Sequence, residues 1–337
     1  MAQRKAWLDY LKLIAMYLVV VYHTPPRYDT AHEVALFNMG APVFFLAAGY
    51  LFNIAKQKDF LTFLRHRARQ ILVPYATFFV VFYALWLVVG RRLAGPEEQA
   101  IDVLTPVWQF FQGTPDVVLG PFWFLAALFT MQVIYYPIRK YLAGYLPLVV
   151  ALLLSLSLLI LPDVPCFRYW NLDKAFLYMP IYALGNCCRP LVDKFRFSPS
   201  GRSLLWLALA ALGLGFLIFA PLNIDRGVAY VLAPLAVIMV LPFYTAVCKW
   251  LEAHYGTSRI AQTVAITGIT YLAVQNYLIG IIKMVVAKFA GPEFLDDNIL
   301  MKVVIALIVM AVLYPIALFV ERYTPWMLGK KRQPRQA

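Results

Sequence analysis

Apolar runs broken by short polar, basic or Pro- and Gly-bearing segments recur along the whole chain. Ten read as membrane-crossing helices: 7–22, 37–54, 71–89, 122–138, 146–161, 175–187, 203–222, 228–247, 263–287 and 299–320. About 20 helical residues cross a ~30 Å hydrocarbon core, so several of these are at the short end. The pattern predicts an all-α fold, a polytopic transmembrane helical bundle of about ten spans. The first run carries Asp9 and Lys12, and no small-residue cleavage site follows it, so it reads as a retained helix rather than a signal peptide.

Composition supports that class. Of the 337 residues 62% are hydrophobic and only 14% charged, which excludes a soluble globular domain. Lys and Arg in the connections set the orientation. With the N-terminus inside, the inner side collects Arg4, Lys5, the 56–69 run, Arg139, Lys140 and the basic tail. The outer side holds only Arg27, Arg91, Arg92, Arg168, Lys174, Arg226 and Lys288. Both termini are therefore expected to be cytoplasmic. The net charge of +13 is spread over these inner segments rather than gathered in a compact basic domain, so nucleic acid is not an expected partner. The four cysteines give neither a disulfide framework nor a zinc spacing, and no metal is expected. Nothing marks a soluble domain boundary. One integral-membrane domain over 1–337 is the economical reading, with specificity in the outer segments 90–121 and 166–174.

Ionisable residues inside apolar spans are costly and point to function. The first span places Lys12 eleven residues before His23. Eleven steps of ~100° bring the two within ~20° of one helix face, roughly 16 Å apart along the axis. Asp9, three before Lys12, is within pairing reach. The bland alternative is a snorkelling Lys12 and an interfacial His23. In the inner loop before the third span, Arg65, Arg67 and Arg69 alternate with His66 and Ala68. Three guanidinium forks suit a polyanionic cofactor, although taken alone the positive-inside rule or anionic headgroups already account for them. On the ninth span Tyr271 and Gln275 are one turn apart, while Asn276 and Lys283 share another stripe. They either line a polar cavity or hold helices together. His32 reads as a solvated loop residue. Asp163, Asp173, Asp225, Asp296 and Asp297 are candidates for acceptor hydroxyls, and the sequence does not rank them.

Four segments in order resemble the membrane-bound acyltransferase-3 family: Asp9 through Lys12 to His23, then FNMGAPVFFLAAGYLF, then FLRHRARQILVPY, then GPFWFLAALF. The lysine at 12, where many members carry arginine, resembles the branch of fucose 4-O-acetylase-like glycan O-acetyltransferases. The resemblance implies transfer of an acyl group, usually acetyl from cytoplasmic acetyl-CoA, to a sugar hydroxyl at the outer face. The setting it implies is the bacterial inner membrane, with a surface or lipid-linked glycan as acceptor. Carried over, His23 matches the essential histidine and Lys12 the basic residue before it. Arg65, Arg67 and Arg69 fall in the stretch associated with the CoA donor. Phe44, Phe45 and Gly49 match the FF-x-x-SG-like motif, with Ala48 where serine is common, and Trp123 and Phe124 match the WF pair. Gln275 stands where a second histidine is often found.

The chemistry of the residues is compatible. A sugar hydroxyl attacking a thioester needs a base that is neutral near pH 7, which suits histidine. Lys12 is too far along the axis to reach the reacting carbonyl beside His23, so it is expected to touch the donor, with Asp9 orienting it. No G-x-S-x-G elbow or base-adjacent cysteine is present, which favours direct transfer over an acyl-enzyme. Two other readings stand beside this one. Lys12, His23 and Lys283 would form a polar pathway in a glycan or lipid exporter, or the chain would be a silent relative serving in sensing or assembly.

Overall fold

A computed structural model describes residues 4–24, 40–93, 95–161, 164–195, 203, 206, 209, 226–291, 294 and 299–330. Among them all regular structure is helical. The principal helices are α1 (Ala6–His23), α2 (Gly40–Leu51), α3 (Phe60–Leu85), α4 (Thr105–Gln112), α5 (Trp123–Tyr141) and α6 (Leu146–Ser157). They continue with α7 (Leu172–Cys187), α8 (Arg189–Lys194), α9 (Arg226–Tyr255), α10 (Arg259–Ala290) and α11 (Ile299–Tyr323). Among the described residues five helical stretches are long and apolar enough to cross a membrane: Ala6–His23, Phe60–Gly90, Asp116–Tyr141, Arg259–Ala290 and Leu300–Tyr323. The helices α2 and α6 are apolar but shorter. Of the expected seventh span, 203–222, only residues 203, 206 and 209 are described. His32, Asp163, Asp225, Asp296 and Asp297 also lie outside the described residues.

The local causes of these boundaries are readable. Helix α1 stops at His23 because Pro25 and Pro26 follow, and a residue ahead of proline is driven out of the helical region. Thr24 is extended (φ −81°, ψ 133°), and its backbone N–H and hydroxyl both close back on the Val20 carbonyl, at 3.0 and 2.8 Å. Helix α3 corrects the expected third span: it starts at Phe60, not near residue 71. Asp59 caps it, accepting the Thr62 backbone N–H and hydroxyl, each at 2.8 Å. The 60–70 stretch with its three arginines is thus helix rather than inner loop. A helix-period reading of that stretch was masked by its charge, which lowers the apolar average without lowering helix propensity.

The chain forms two compact units. The first comprises 1–52, 144–160 and 177–318. Within it α1 packs against α2, α9 and α10 and buries Leu11, Ala15, Met16 and Val20 completely. Within the same unit α2 and α7 touch backbone to backbone. A Cβ on Gly49 would stand 1.9 Å from the Tyr182 carbonyl oxygen, and one on Gly185 would stand 2.3 Å from that of Leu46. Asn186 fastens the joint, its Nδ2 donating to the Phe52 carbonyl at 2.8 Å and the Gly49 carbonyl at 3.3 Å.

The second unit comprises 53–143, 161–176 and 319–337. Helix α3 packs on α5, and an aromatic cluster fills the unit. Tyr75 stacks on Phe110 at 5.0 Å between ring centroids and also meets Phe122 and Trp170. The Tyr75 hydroxyl donates to the Phe110 carbonyl at 2.9 Å.

Candidate functional site

In the first unit, α1 and α10 run parallel, which two contacts fix. Arg4 donates to the Gln262 carbonyl at 3.4 Å, and Met16 lies over Gly268, its Cε 3.3 Å from where a Cβ would stand. Seven residues further along each helix, roughly 10 Å at the helical rise, come His23 on α1 and Gln275 on α10. Gln275 therefore stands at the depth of His23.

The buried stripe of α10 that includes Val264, Thr267, Tyr271 and Gln275 follows the helical period. Near the depth of His23 its polar atoms lack partners. Thr270 Oγ1, Tyr271 Oη, both amide atoms of Gln275 and Asn276 Oδ1 have no hydrogen bond among the described residues. Gln275, Tyr271 and Thr270 are fully buried. Each such atom costs about 1–3 kcal/mol when left dry, so four neighbouring residues of this kind mark a place built for a polar ligand or water. His23 itself is half-buried, with the Tyr22 ring 5.3 Å away edge to face.

Three expectations need correction here. Asp9 is buried, and its carboxylate is gripped by Arg4 rather than Lys12: Nε reaches Oδ2 at 2.7 Å and Nη2 reaches Oδ1 at 3.0 Å. A two-pronged guanidinium fits a carboxylate better than a single ammonium, and Arg4 lies just outside the helix start, free to fold back. Half-buried Lys12 has no ion pair or hydrogen bond among the described residues. Lys283 is exposed instead of lining a buried cavity. It lies eight residues beyond Gln275, where α10 has outrun the end of α1 and lost that neighbour. The arginines, finally, do not form one cluster.

Those arginines belong to the second unit, on α3. Arg65 and Arg69 are one turn apart and exposed, whereas Arg67 is ~200° from Arg65 around the helix. Half-buried Arg67 lies over the Phe63 ring, 5.6 Å from its centroid, and donates to Gln70 Oε1 at 3.0 Å. Arg69 spends its Nε on the Gly329 carbonyl at 3.2 Å. Two exposed guanidinium groups thus remain for an anion, and the third braces the helix. Trp123, also in this unit, carries the Lys174 ammonium 4.6 Å above its ring.

Several features had no forewarning in the sequence. Lys302 is buried at 2% exposure, beside Val303, whose carbonyl accepts the Tyr17 hydroxyl at 3.3 Å. At the N-terminal end of α1 an apolar cavity of about 310 Å3 is walled by Trp7, Leu11, Leu46, Leu184 and Leu241, remote from His23 along the helix. A network closes that end: Lys5 donates to Tyr50 and to Asp193, and Tyr50 donates to Asp193 as well. Burial opposes charge on Lys5, but its bonds to Asp193 and Tyr50 outweigh it and raise its pKa above the ordinary lysine value. For Asp193 burial likewise opposes charge, and the bonds from Lys5 and Tyr50 hold its pKa below the ordinary carboxylate value. Among the described residues no group of three or more His, Cys, Asp or Glu is placed to hold a metal.

The profile of the acyltransferase-3 family, described as an acyltransferase domain, matches residues 5–322 of the chain. No curated protein and no solved structure gives a match.

Proposed function

This chain belongs to the acyltransferase-3 family, and we propose that it is a membrane-bound O-acyltransferase that moves acetyl from acetyl-CoA to a glycan hydroxyl. The acceptor is a surface or lipid-linked sugar at the outer face of the bacterial inner membrane. The chain acts there as a single integral-membrane domain of about ten spans with both termini in the cytoplasm. The observation that carries the reading is the coincidence in depth of His23 with the unpartnered polar atoms of α10, those of buried Tyr271 and Gln275 and the Oδ1 of half-buried Asn276 beside them.

The step is an addition and elimination at the thioester. As the sugar oxygen attacks the acyl carbon, neutral His23 takes its proton, the C–O bond forms, the C–S bond breaks, and the CoA thiolate leaves to be protonated. Gln275 and Asn276 supply amide groups that orient the hydroxyl and the carbonyl around that base. Arg65 and Arg69 hold donor phosphates, Arg67 braces their helix, and Lys12 contacts the donor from α1. Asp9 has a positioning role through Arg4, fixing the start of α1 against α10.

The test uses purified protein in lipid vesicles with labelled acetyl-CoA and glycan acceptors. His23→Ala is expected to lower acyl transfer by about 100-fold or more, within the range general-base catalysis supplies. Gln275→Leu, which keeps the size and removes the amide, is expected to lower it at least tenfold while leaving the protein folded. Wild-type transfer by His23→Ala would refute the base assignment. Glycan crossing the bilayer with no CoA released would replace the enzyme by an exporter.

A further inference from the structure

We propose that the second unit contains a saccharide-binding site, a cavity of about 510 Å3 between the segment after α4 and the segment that leads into α7. Gln112 and Asp116 line one side, and Arg168, Tyr169, Asp173 and Lys174 the other.

The walls are held by unusual backbone. Trp170 and Asn171 both occupy the left-handed region, at φ 53° and 49°. Such positions cost about 1–3 kcal/mol each for non-glycine residues and persist where surrounding contacts enforce them. Those contacts are present. Asn171, 1% exposed, donates Nδ2 to the Gly113 carbonyl at 2.6 Å, and the Trp170 carbonyl accepts Thr130 Oγ1 at 2.9 Å. Gly113 is itself left-handed at φ 82°, and a Cβ there would meet the Trp170 Cα at 2.8 Å. On the other strand of the wall, Gln109 Oε1 accepts the Val117 N–H at 3.0 Å and locks the turn that presents Asp116.

This rigid frame displays charged groups that make no direct ion pair with one another; Lys174, drawn over the Trp123 ring, feels Asp116 and Asp173 only at longer range. Asp116, Asp173, Arg168 and Lys174 all line the cavity, yet none forms a salt bridge among the described residues. Two carboxylates and two cations leave the cavity without net charge, which argues against a simple anion or cation as ligand. A hydroxyl both donates and accepts, so a polyol is satisfied by alternating carboxylates, amide and cations. Tyr169, 55% exposed at the mouth, offers an aromatic face for the apolar side of a sugar ring. The volume is within the range of small-molecule sites and suits a hexose-sized ligand. As an acceptor site it rests on the acyl-transfer reading above; as a saccharide site it does not.

The experiment has two arms, both on full-length protein in nanodiscs. Saturation-transfer NMR is recorded with methyl glycosides of glucose, galactose, mannose and N-acetylglucosamine. At least one is expected to bind, and Asp116→Asn and Asp173→Asn are expected to weaken it tenfold or more, with thermal melting within a degree or two of wild type. Steady-state transfer from labelled acetyl-CoA to the binding glycoside is the second arm. There the same variants are expected to raise the acceptor KM about tenfold and leave the acetyl-CoA KM unchanged. No saturation transfer to any glycoside, or unchanged acceptor KM in both variants, overturns the site. Glycoside binding that the variants weaken, without acyl transfer by wild type, keeps the site and removes the transferase reading instead.

Discussion

Replacing Gly49 by alanine tests whether the α2–α7 joint is structural. The added Cβ would stand 1.9 Å from the Tyr182 carbonyl oxygen, where ordinary contact begins at 3.4 Å, so the helices must separate by about 1.5 Å. The obstacle is backbone and has no rotamer to change. Separation would also stretch the Asn186 bond to the Phe52 carbonyl, now 2.8 Å, and loosen the stack of Phe45 on Tyr178, now 4.9 Å. Overpacking costs about 1–3 kcal/mol, and a lost hydrogen bond adds about 1 kcal/mol. A destabilisation of about 2–4 kcal/mol follows. The contrast is Gly280→Ala on α10, where nothing lies within 4 Å of the new Cβ. Relief of glycine's backbone freedom there is expected to stabilise by roughly 0.5–1 kcal/mol. The assay is thermal unfolding in one detergent, followed by loss of the helical circular dichroism signal. Gly49→Ala should melt several degrees below wild type and Gly280→Ala at or above it. If Gly49→Ala melts with wild type, the close approach of α2 and α7 is wrong.

Two further predictions concern charge. Arg65→Ala and Arg69→Ala are expected to raise the acetyl-CoA KM about tenfold or more, since charge-assisted hydrogen bonds contribute about 1.5–3 kcal/mol. Arg67→Ala should mainly lower the melting temperature, and a donor KM raised as far as in Arg69→Ala would contradict the division of faces on α3. For Asp193, held below the ordinary carboxylate value, the stabilisation is present above its unfolded pKa and lost as pH falls through the lower folded one. For Lys5, raised, it is present below the unfolded pKa and lost as pH rises through the higher folded one. Both side chains are more than a third exposed, so the pair contributes less than about 1 kcal/mol. Asp193→Asn should therefore melt slightly below wild type at pH 7 and converge with it at pH 3; a gap that widens in acid would refute the pairing.

Helices were legible in the sequence wherever apolar residues dominated a window: the first span, 7–22, matches α1 within a residue at each end. The start of α3 was not legible, because the charge between Arg65 and Arg69 hid its first turns, and the Asp59 cap with them, from an apolar average. Spacing along one helix also carried the placement of Lys12 and His23, because it needs only the helical repeat. Where the choice of partner depends on side-chain competition or on a neighbouring helix, the sequence was silent. Arg4, just outside the helix start, takes Asp9 with two guanidinium prongs where Lys12 was expected to pair, and Lys283 is exposed because α1 stops short of it. The left-handed pair Trp170 and Asn171 gave little signal, since asparagine visits that region readily only as a single residue and tryptophan does not.

The Phe-Phe and Gly49 motif shows how the two kinds of information combine. As sequence it is an aromatic pair followed by a small residue inside an apolar run, a pattern equally suited to a ligand cavity or a helix contact. The structure divides it. Phe45 is fully buried in a stack with Tyr178, and Gly49 is pressed against the backbone of Tyr182 one turn further along α7. Both contacts join α2 to α7, while α2 also packs on α1. The motif therefore joins α2 to α7 and, through α2, backs the helix that carries His23. The unpartnered polar side chains at the depth of His23 come from α10, whose register on α1 is fixed by Met16 over Gly268. A serine at position 48 would alter neither contact, because half-buried Ala48 takes no part in the joint that Gly49 and Gly185 make.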